Sequence, residues 1–235
     1  MIDADLAVVD AAELLTVPGP APKRGRALGE AGILAGGCLA ARAGTIVFVG
    51  DAGTYRRTVR LAPGGVTISA AGCTVLPGFV DSHTHLPFAG SREQELARRL
   101  EGATYESIAR AGGGIMATVR ATRDASLEDL VDLGRRRLDR MLRHGTTTVE
   151  AKSGYGLTLE TELKQLRVLR RLDRSHPIDL VPTFLGAHVV PEERRSDRGA
   201  YVREVIERMI PRVAREGLAR FCDVFVEEGA FTAGE

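Results

Sequence analysis

From residue 75 onward, short apolar runs alternate with amphipathic segments, and each apolar run stops at a cluster of polar residues. Residues 75–80 stop at Asp81-Ser82-His83-Thr84-His85, and residues 146–149 at Glu150-Ala151-Lys152-Ser153-Gly154-Tyr155-Gly156. Residues 178–185 stop at Gly186-Ala187-His188, and residues 221–226 at Glu227-Glu228-Gly229. Between them, Leu127, Leu130, Leu133, Leu138, Met141 and Leu142 recur at helical spacing, with Ser126 as N-cap, Asp129 three residues on and Gly145 as the stop. Leu163, Leu166 and Leu169 mark a second helix over 159–173, and 201–216 is a third helical region, expected to bend at Pro211. Strands that are nearly continuous apolar runs, interleaved with helices, specify a parallel sheet covered by helices. Polar residues just past strand carboxyl ends are where a β/α barrel carries its chemistry. Four such units make the first half of an eight-stranded barrel.

Residues 1–74 have a different rhythm. β-prone runs at 6–9, 45–49, 58–61 and 66–70 are separated by turn signals such as Pro18-Gly19-Pro20 and Pro63-Gly64-Gly65, with no long helical period. The expectation is a small, mostly antiparallel, sandwich-like β domain over 1–74, incomplete by itself, followed by a metal-dependent half-barrel over 75–235. Lys23-Arg24-Gly25-Arg26 lies in a Pro/Gly-rich stretch and reads as a solvated loop.

Composition narrows the function classes. Thirty-two basic against 31 acidic residues leave a formal charge of +1, so no global field favours nucleic acid or an anionic membrane. Three dispersed cysteines without CxxC spacing argue against a disulfide framework or a thiolate zinc site and fit a reducing compartment. The amino terminus is acidic where a signal peptide needs positive charge, and the charge-free stretch 31–41 is too short to span a bilayer. The chain is therefore expected to be cytoplasmic, with no membrane partner.

The chemistry centres on His83-Thr84-His85. Residues two apart on a strand end project to one face, so both imidazoles can address one divalent cation. His188 closes the third barrel strand, and position alone leaves it open between a site-facing and a structural role. His144 and His176, at or just past helix carboxyl ends, read as structural. Lys152 ends the second strand, where an orienting or electrostatic role is favoured over a metal-bridging one. Tyr155 is presented by a glycine-rich turn, and Arg92, on the first βα loop, can fork onto a carboxylate. Gly112-Gly113-Gly114 lacks phosphate-loop spacing and reads as a loop opening the helix over 115–123.

The string from Val75 through Pro77-Gly78-Phe79 to His85 resembles the metal motif of the amidohydrolase superfamily. Phe88-Ala89-Gly90-Ser91-Arg92, Ala111 through Ile115, Val149 through Gly156, Thr183 through His188 and Phe225 through Phe231 resemble, more narrowly, the imidazolonepropionase family. The resemblance implies an amidohydrolase-type β/α (TIM-like) barrel, first half only, with His83 and His85 as ligands of one divalent metal, Zn or Fe. It implies that Arg92, Tyr155 and His188 contact the substrate, that Tyr105 lines the pocket, and that His188 acts in catalysis by polarising the substrate carbonyl. The implied reaction is metal-assisted hydrolysis of the cyclic amide 4-imidazolone-5-propanoate to N-formimidoyl-L-glutamate, in histidine degradation. A homodimer is open for the intact family enzyme. The family's later histidine and aspartate ligands and its carboxyl-terminal β strands have no counterpart here, so the chain is expected to be a truncated form with weak or no activity. Two alternatives stay open: a dinuclear hydantoinase- or dihydroorotase-like enzyme with a carboxylated Lys152, and a non-catalytic half-barrel.

Overall fold

A computed structural model describes residues 1–104, 107 and 112–235, which divide into two compact units, Met1–Pro77 and Gly78–Glu235. The division falls three residues beyond the expected boundary because the short strand β5 (Thr74–Val75) pairs with the first strand.

In the first unit, β1 (Ile2–Leu15) is the spine. β2 (Ile33–Arg42) and β3 (Thr45–Asp51) follow it outward as antiparallel neighbours. β4 (Val59–Ser69) and β5 flank its other edge, both parallel to it. Two features refine the sequence reading. The described strands form one five-stranded sheet that is antiparallel across β1, β2 and β3 and parallel where β4 and β5 join β1. A seven-residue helix, α1 (Ala52–Thr58), links β3 to β4 and is what permits a parallel return. Its N-cap Asp51 accepts from the Thr54 amide at 2.9 Å. The helix is too short to show a period in sequence. The glycine-broken stretch around 31–41 turns out to be β2, whose Cys38 and Ala40 are buried.

A bulge between Val8 and Ala11, with Asp10 at φ +60°, divides β1. One small apolar cluster (Ala4, Ala7, Ala40, Val59) lies on its first half and another (Ala11, Leu14, Ala70) on its second. Small side chains dominate both.

The second unit is a four-stranded, all-parallel sheet in the order β6 (Phe79–Thr84), β7 (Thr146–Lys152), β8 (Asp179–Ala187), β9 (Phe221–Val224). Sequence order equals spatial order, as in a barrel wall. The helices are α2 (Glu93–Leu100), α3 (Ile115–Asp124), α4 (Leu127–Arg143) and α5 (Leu159–Asp173). α6 (Arg198–Glu204) and α7 (Ile210–Glu216) follow.

α4 begins at the expected capping box, with Ser126 accepting from the Asp129 amide and the Asp129 carboxylate accepting from the Ser126 amide. It ends before Gly145, at φ +88°. The α5 stripe Leu163, Leu166 and Leu169 is fully buried, packed with Leu130 and Leu138 of α4 and with Val149 and Phe184 of the sheet. The third helical region starts earlier than expected, and its irregularity is a π turn, Val205–Met209, separated from Pro211 by Ile210. Pro211 lacks an amide donor and its ring crowds the preceding turn, so widening that turn accommodates it inside a continuous helical path.

Candidate active site

The carboxyl ends of β6, β7 and β8 bring His83, His85, Tyr155 and His188 together. β6 ends at Thr84, whose hydroxyl donates to the Glu150 carbonyl at 2.8 Å, fixing the strand end beside β7. The His83 and His85 rings then stand edge to face with centroids 6.0 Å apart. His85 also stacks on His188 (centroids 4.8 Å, planes 16° apart) and tilts against Tyr155 at 5.0 Å. Phe88 and Phe225 close the cluster, the first against Tyr155 and the second against His188.

Burial, followed by the neighbouring His188 and His83, pushes the His85 imidazolium pKa down to about 3, so the ring is neutral. Its Nδ1 is buried and, among the described residues, has no hydrogen-bond partner. A neutral imidazole with an unsatisfied buried nitrogen, beside a second histidine on the same strand, suits a divalent cation that uses nitrogen ligands. The ring separation is within the span that two imidazoles on one ion can cover with metal–nitrogen bonds of about 2 Å. Among the described residues no group of three or more histidine, cysteine, aspartate or glutamate side chains is arranged to hold a metal. Two imidazoles alone do not make a closed metal site.

His188 is held by the loop before it in space. Its Nδ1 donates to the Gly154 carbonyl at 2.8 Å, which leaves Nε2 with a lone pair. Burial holds its pKa below the ordinary histidine value. A neutral His188 in this tautomer presents its Nε2 lone pair as an acceptor. Gly154 itself is forced by geometry. It sits at φ +104°, and a Cβ there would meet the Leu185 carbonyl oxygen at 2.9 Å and His188 Nδ1 at 3.0 Å.

Arg92 is exposed and caps the start of α2. It lines a cavity of about 380 Å³ with Phe88, Ser91, Thr118, Arg137 and Tyr155. Arg137 shapes that cavity: its Nη1 donates to the Leu86 and Phe88 carbonyls at 2.6 and 2.7 Å, and its guanidinium lies 3.6 Å from the Phe88 ring centroid. Burial raises the Tyr155 pKa, partly opposed by Arg92, so the phenol keeps its proton. Tyr105 lies outside the described residues.

Lys152 is 6% exposed and bridges two carboxylates, Glu150 Oε1 at 2.7 Å and Asp223 Oδ2 at 2.9 Å. Burial works to lower its pKa, but the hydrogen bonds to Glu150 and Asp223 outweigh it and raise it. The side chain ties β7 to β9 across β8. Glu150 and Asp223 were not singled out by the sequence; the strand-end placement of Glu150, two residues from Lys152, was the signal available. His144 ends α4, and His176 is a structural group as expected, accepting from the Ile178 amide at 3.1 Å and lying 3.3 Å from Asp139.

The Amidohydrolase family profile matches residues 74–227. The chain belongs to the amidohydrolase family. Among curated relatives, it is 56% identical over 236 residues to imidazolonepropionase of Symbiobacterium thermophilum, a match covering 100% of this chain and 55% of that protein. It is 54% identical over 226 residues to imidazolonepropionase of Geobacillus kaustophilus, covering 94% and 53% respectively. The chain thus spans about half the length of these relatives. Among solved structures, a triazine hydrolase variant superposes with a TM-score of 0.56 at 16% identity, over 92% of this chain and 45% of that one. That likeness is one of fold alone, and it matches the β/α half-barrel arrangement. No helix among the described residues is long and apolar enough to cross a membrane.

Proposed function

We propose that this chain carries the first metal ligands and the substrate-facing loops of an imidazolonepropionase-type amidohydrolase, which opens the ring amide of 4-imidazolone-5-propanoate to N-formimidoyl-L-glutamate in the cytoplasm. The observation that carries this reading is the convergence of His83, His85, Tyr155 and His188 at three neighbouring strand ends, next to a cavity lined by Arg92. Relatives named imidazolonepropionase support the choice of substrate.

A bound divalent ion, zinc or iron, supplies Lewis-acid activation of water near neutral pH. His83 and His85 would hold it, His85 through a ring kept neutral by burial. Arg92 forks onto the propanoate carboxylate, anchoring the flexible end of the substrate. Tyr155, protonated, stacks and donates at the ring edge. His188 offers its Nε2 lone pair to a ring N–H, so it orients the ring by accepting a hydrogen bond there rather than by polarising the carbonyl. Hydrolysis adds water across the ring C–N bond, and the released nitrogen takes the proton.

The dinuclear reading finds no support in the geometry. A carboxylated lysine needs a neutral amine, whereas Lys152 is an ammonium gripped by two carboxylates. Its role is to fix strand ends.

Substrate binding to the chain, followed by saturation-transfer NMR with product detection by mass spectrometry, tests the proposal. Arg92→Ala is expected to weaken binding by about 10- to 100-fold, the effect of losing a charge-assisted pair. Equal binding by wild type, Arg92→Ala and Tyr155→Phe would overturn the assignment.

A further inference from the structure

We propose that Glu162 and Gln165 of α5 are positioning residues that lock the loop 154–157, and through it Tyr155 and His188, by capturing four consecutive backbone amides. The proposal rests on the reading of Tyr155 and His188 as substrate-facing groups. Glu162 Oε2 accepts from the Gly154 amide at 3.0 Å, and Oε1 accepts from the Gly156 and Leu157 amides at 2.9 and 2.8 Å. The remaining amide, of Tyr155, donates to Gln165 Oε1 at 3.2 Å. Gln165 Nε2 in turn donates to the Pro87 carbonyl at 2.7 Å, tying the β7 loop to the loop after β6.

Successive N–H groups pointing into one concavity form an anion-binding nest. Here the protein fills the nest with its own carboxylate. Glu162 and Gln165 are both fully buried, yet they sit on the same α5 face as the leucine stripe, where apolar residues would be expected. A buried carboxylate is costly unless its oxygens are hydrogen-bonded, and these amides bond both oxygens; burial still raises the Glu162 pKa, and the loop amides oppose that rise. The loop needs such a restraint. Gly154 is at φ +104° and Leu157, with a side chain, at φ +57°, a conformation that persists only where surroundings over-determine it. Two further bonds lie downstream of the lock. The Gly154 carbonyl fixes the His188 tautomer, and the Gly156 carbonyl accepts from Arg123 Nε at 2.7 Å. Glu162 therefore acts on His188 without touching it.

Hydrogen exchange and histidine 15N NMR on the full chain, without metal or substrate, test this independently of any turnover. In wild type the Gly154, Gly156 and Leu157 amides are expected to be protected like strand amides of β8, although among the described residues none has a backbone partner. Glu162→Gln puts an NH₂ donor against N–H donors. It is expected to speed exchange of those three amides by about tenfold or more beyond any change in β8, consistent with loss of buried charged hydrogen bonds, and to turn the His188 ring into a mixture of tautomers. Glu162→Asp, which keeps the charge one methylene short, should recover part of the protection. A uniform acceleration across β8 with an unchanged His188 tautomer would reduce Glu162 to a general stabiliser and overturn the proposal. So would wild-type loop amides that exchange like open turns, a result that decides the matter even if Glu162→Gln fails to fold. If the lock holds but substrate fails to bind, only the functional reading falls.

Discussion

At the level of single residues, the site is governed by what surrounds each polar group rather than by its identity. Gly154 illustrates this: Gly154→Ala places a methyl against the Leu185 carbonyl oxygen and the His188 ring at a positive φ. It is expected to destabilise the chain by about 1 to 3 kcal/mol, the range for strained backbone and overpacking, measured by denaturant unfolding. Asp223 gives a pH prediction. The hydrogen bond from Lys152 holds its carboxyl below the usual carboxylate range. A depressed folded-state pKa contributes stability above the unfolded value, and that contribution is lost as pH falls through the folded one. The stability difference between wild type and Asp223→Asn should therefore be present at neutral pH, begin to shrink at about pH 4 and vanish in stronger acid. A difference that persists unchanged at low pH would remove the ion pair from the account. The histidine pair was legible in the sequence because it closes an apolar run, whereas Tyr155 and His188 were placed beside it by the family resemblance, position alone leaving His188 open. Glu162 and Gln165 were not legible, because a carboxylate and an amide on a helical stripe look like solvated positions until the loop amides they serve are seen.

At the level of elements, periodicity was a good guide wherever it ran for three turns or more. α4 and α5 begin and end where their caps and leucine spacing place them, and β7 to β9 follow the apolar runs, whereas β6 starts only at Phe79 and runs on through Asp81-Ser82-His83-Thr84, beyond the 75–80 run. The amino-terminal unit was harder to read. Its helix α1 is too short to show a period, and β2 is built from small residues and glycine that carry weak strand propensity. Parallel pairing of β4 to β1 depends on that helix, so missing the helix meant missing the topology. The α5 stripe is the test of element packing. Leu166→Ala, at a fully buried position between α4 and the sheet, is expected to cost about 2 to 5 kcal/mol of unfolding free energy. A loss under about 1 kcal/mol would mean that α5 is not packed as described.

For the whole chain, the second unit presents an all-parallel sheet of four strands with apolar side chains on its outer strands. Phe79 and Val80 on β6 are 54% and 67% exposed, and Phe221 and Val224 on β9 are 55% and 49% exposed. Parallel sheets are normally covered on both faces and lack such edges when closed into a barrel. The chain is expected to associate as its concentration rises, seen by sedimentation, and Val80→Lys to reduce that association. Monomeric behaviour of wild type at high concentration would contradict this.

The central claim is that His83 and His85 address one cation. Titration of the chain with paramagnetic Co²⁺, followed by histidine ring NMR, tests it most directly. The His83 and His85 signals are expected to broaden together and first, and broadening of the nearby His188 to disappear in the His83→Ala/His85→Ala variant. Broadening elsewhere in the chain, with these two rings untouched, would contradict it.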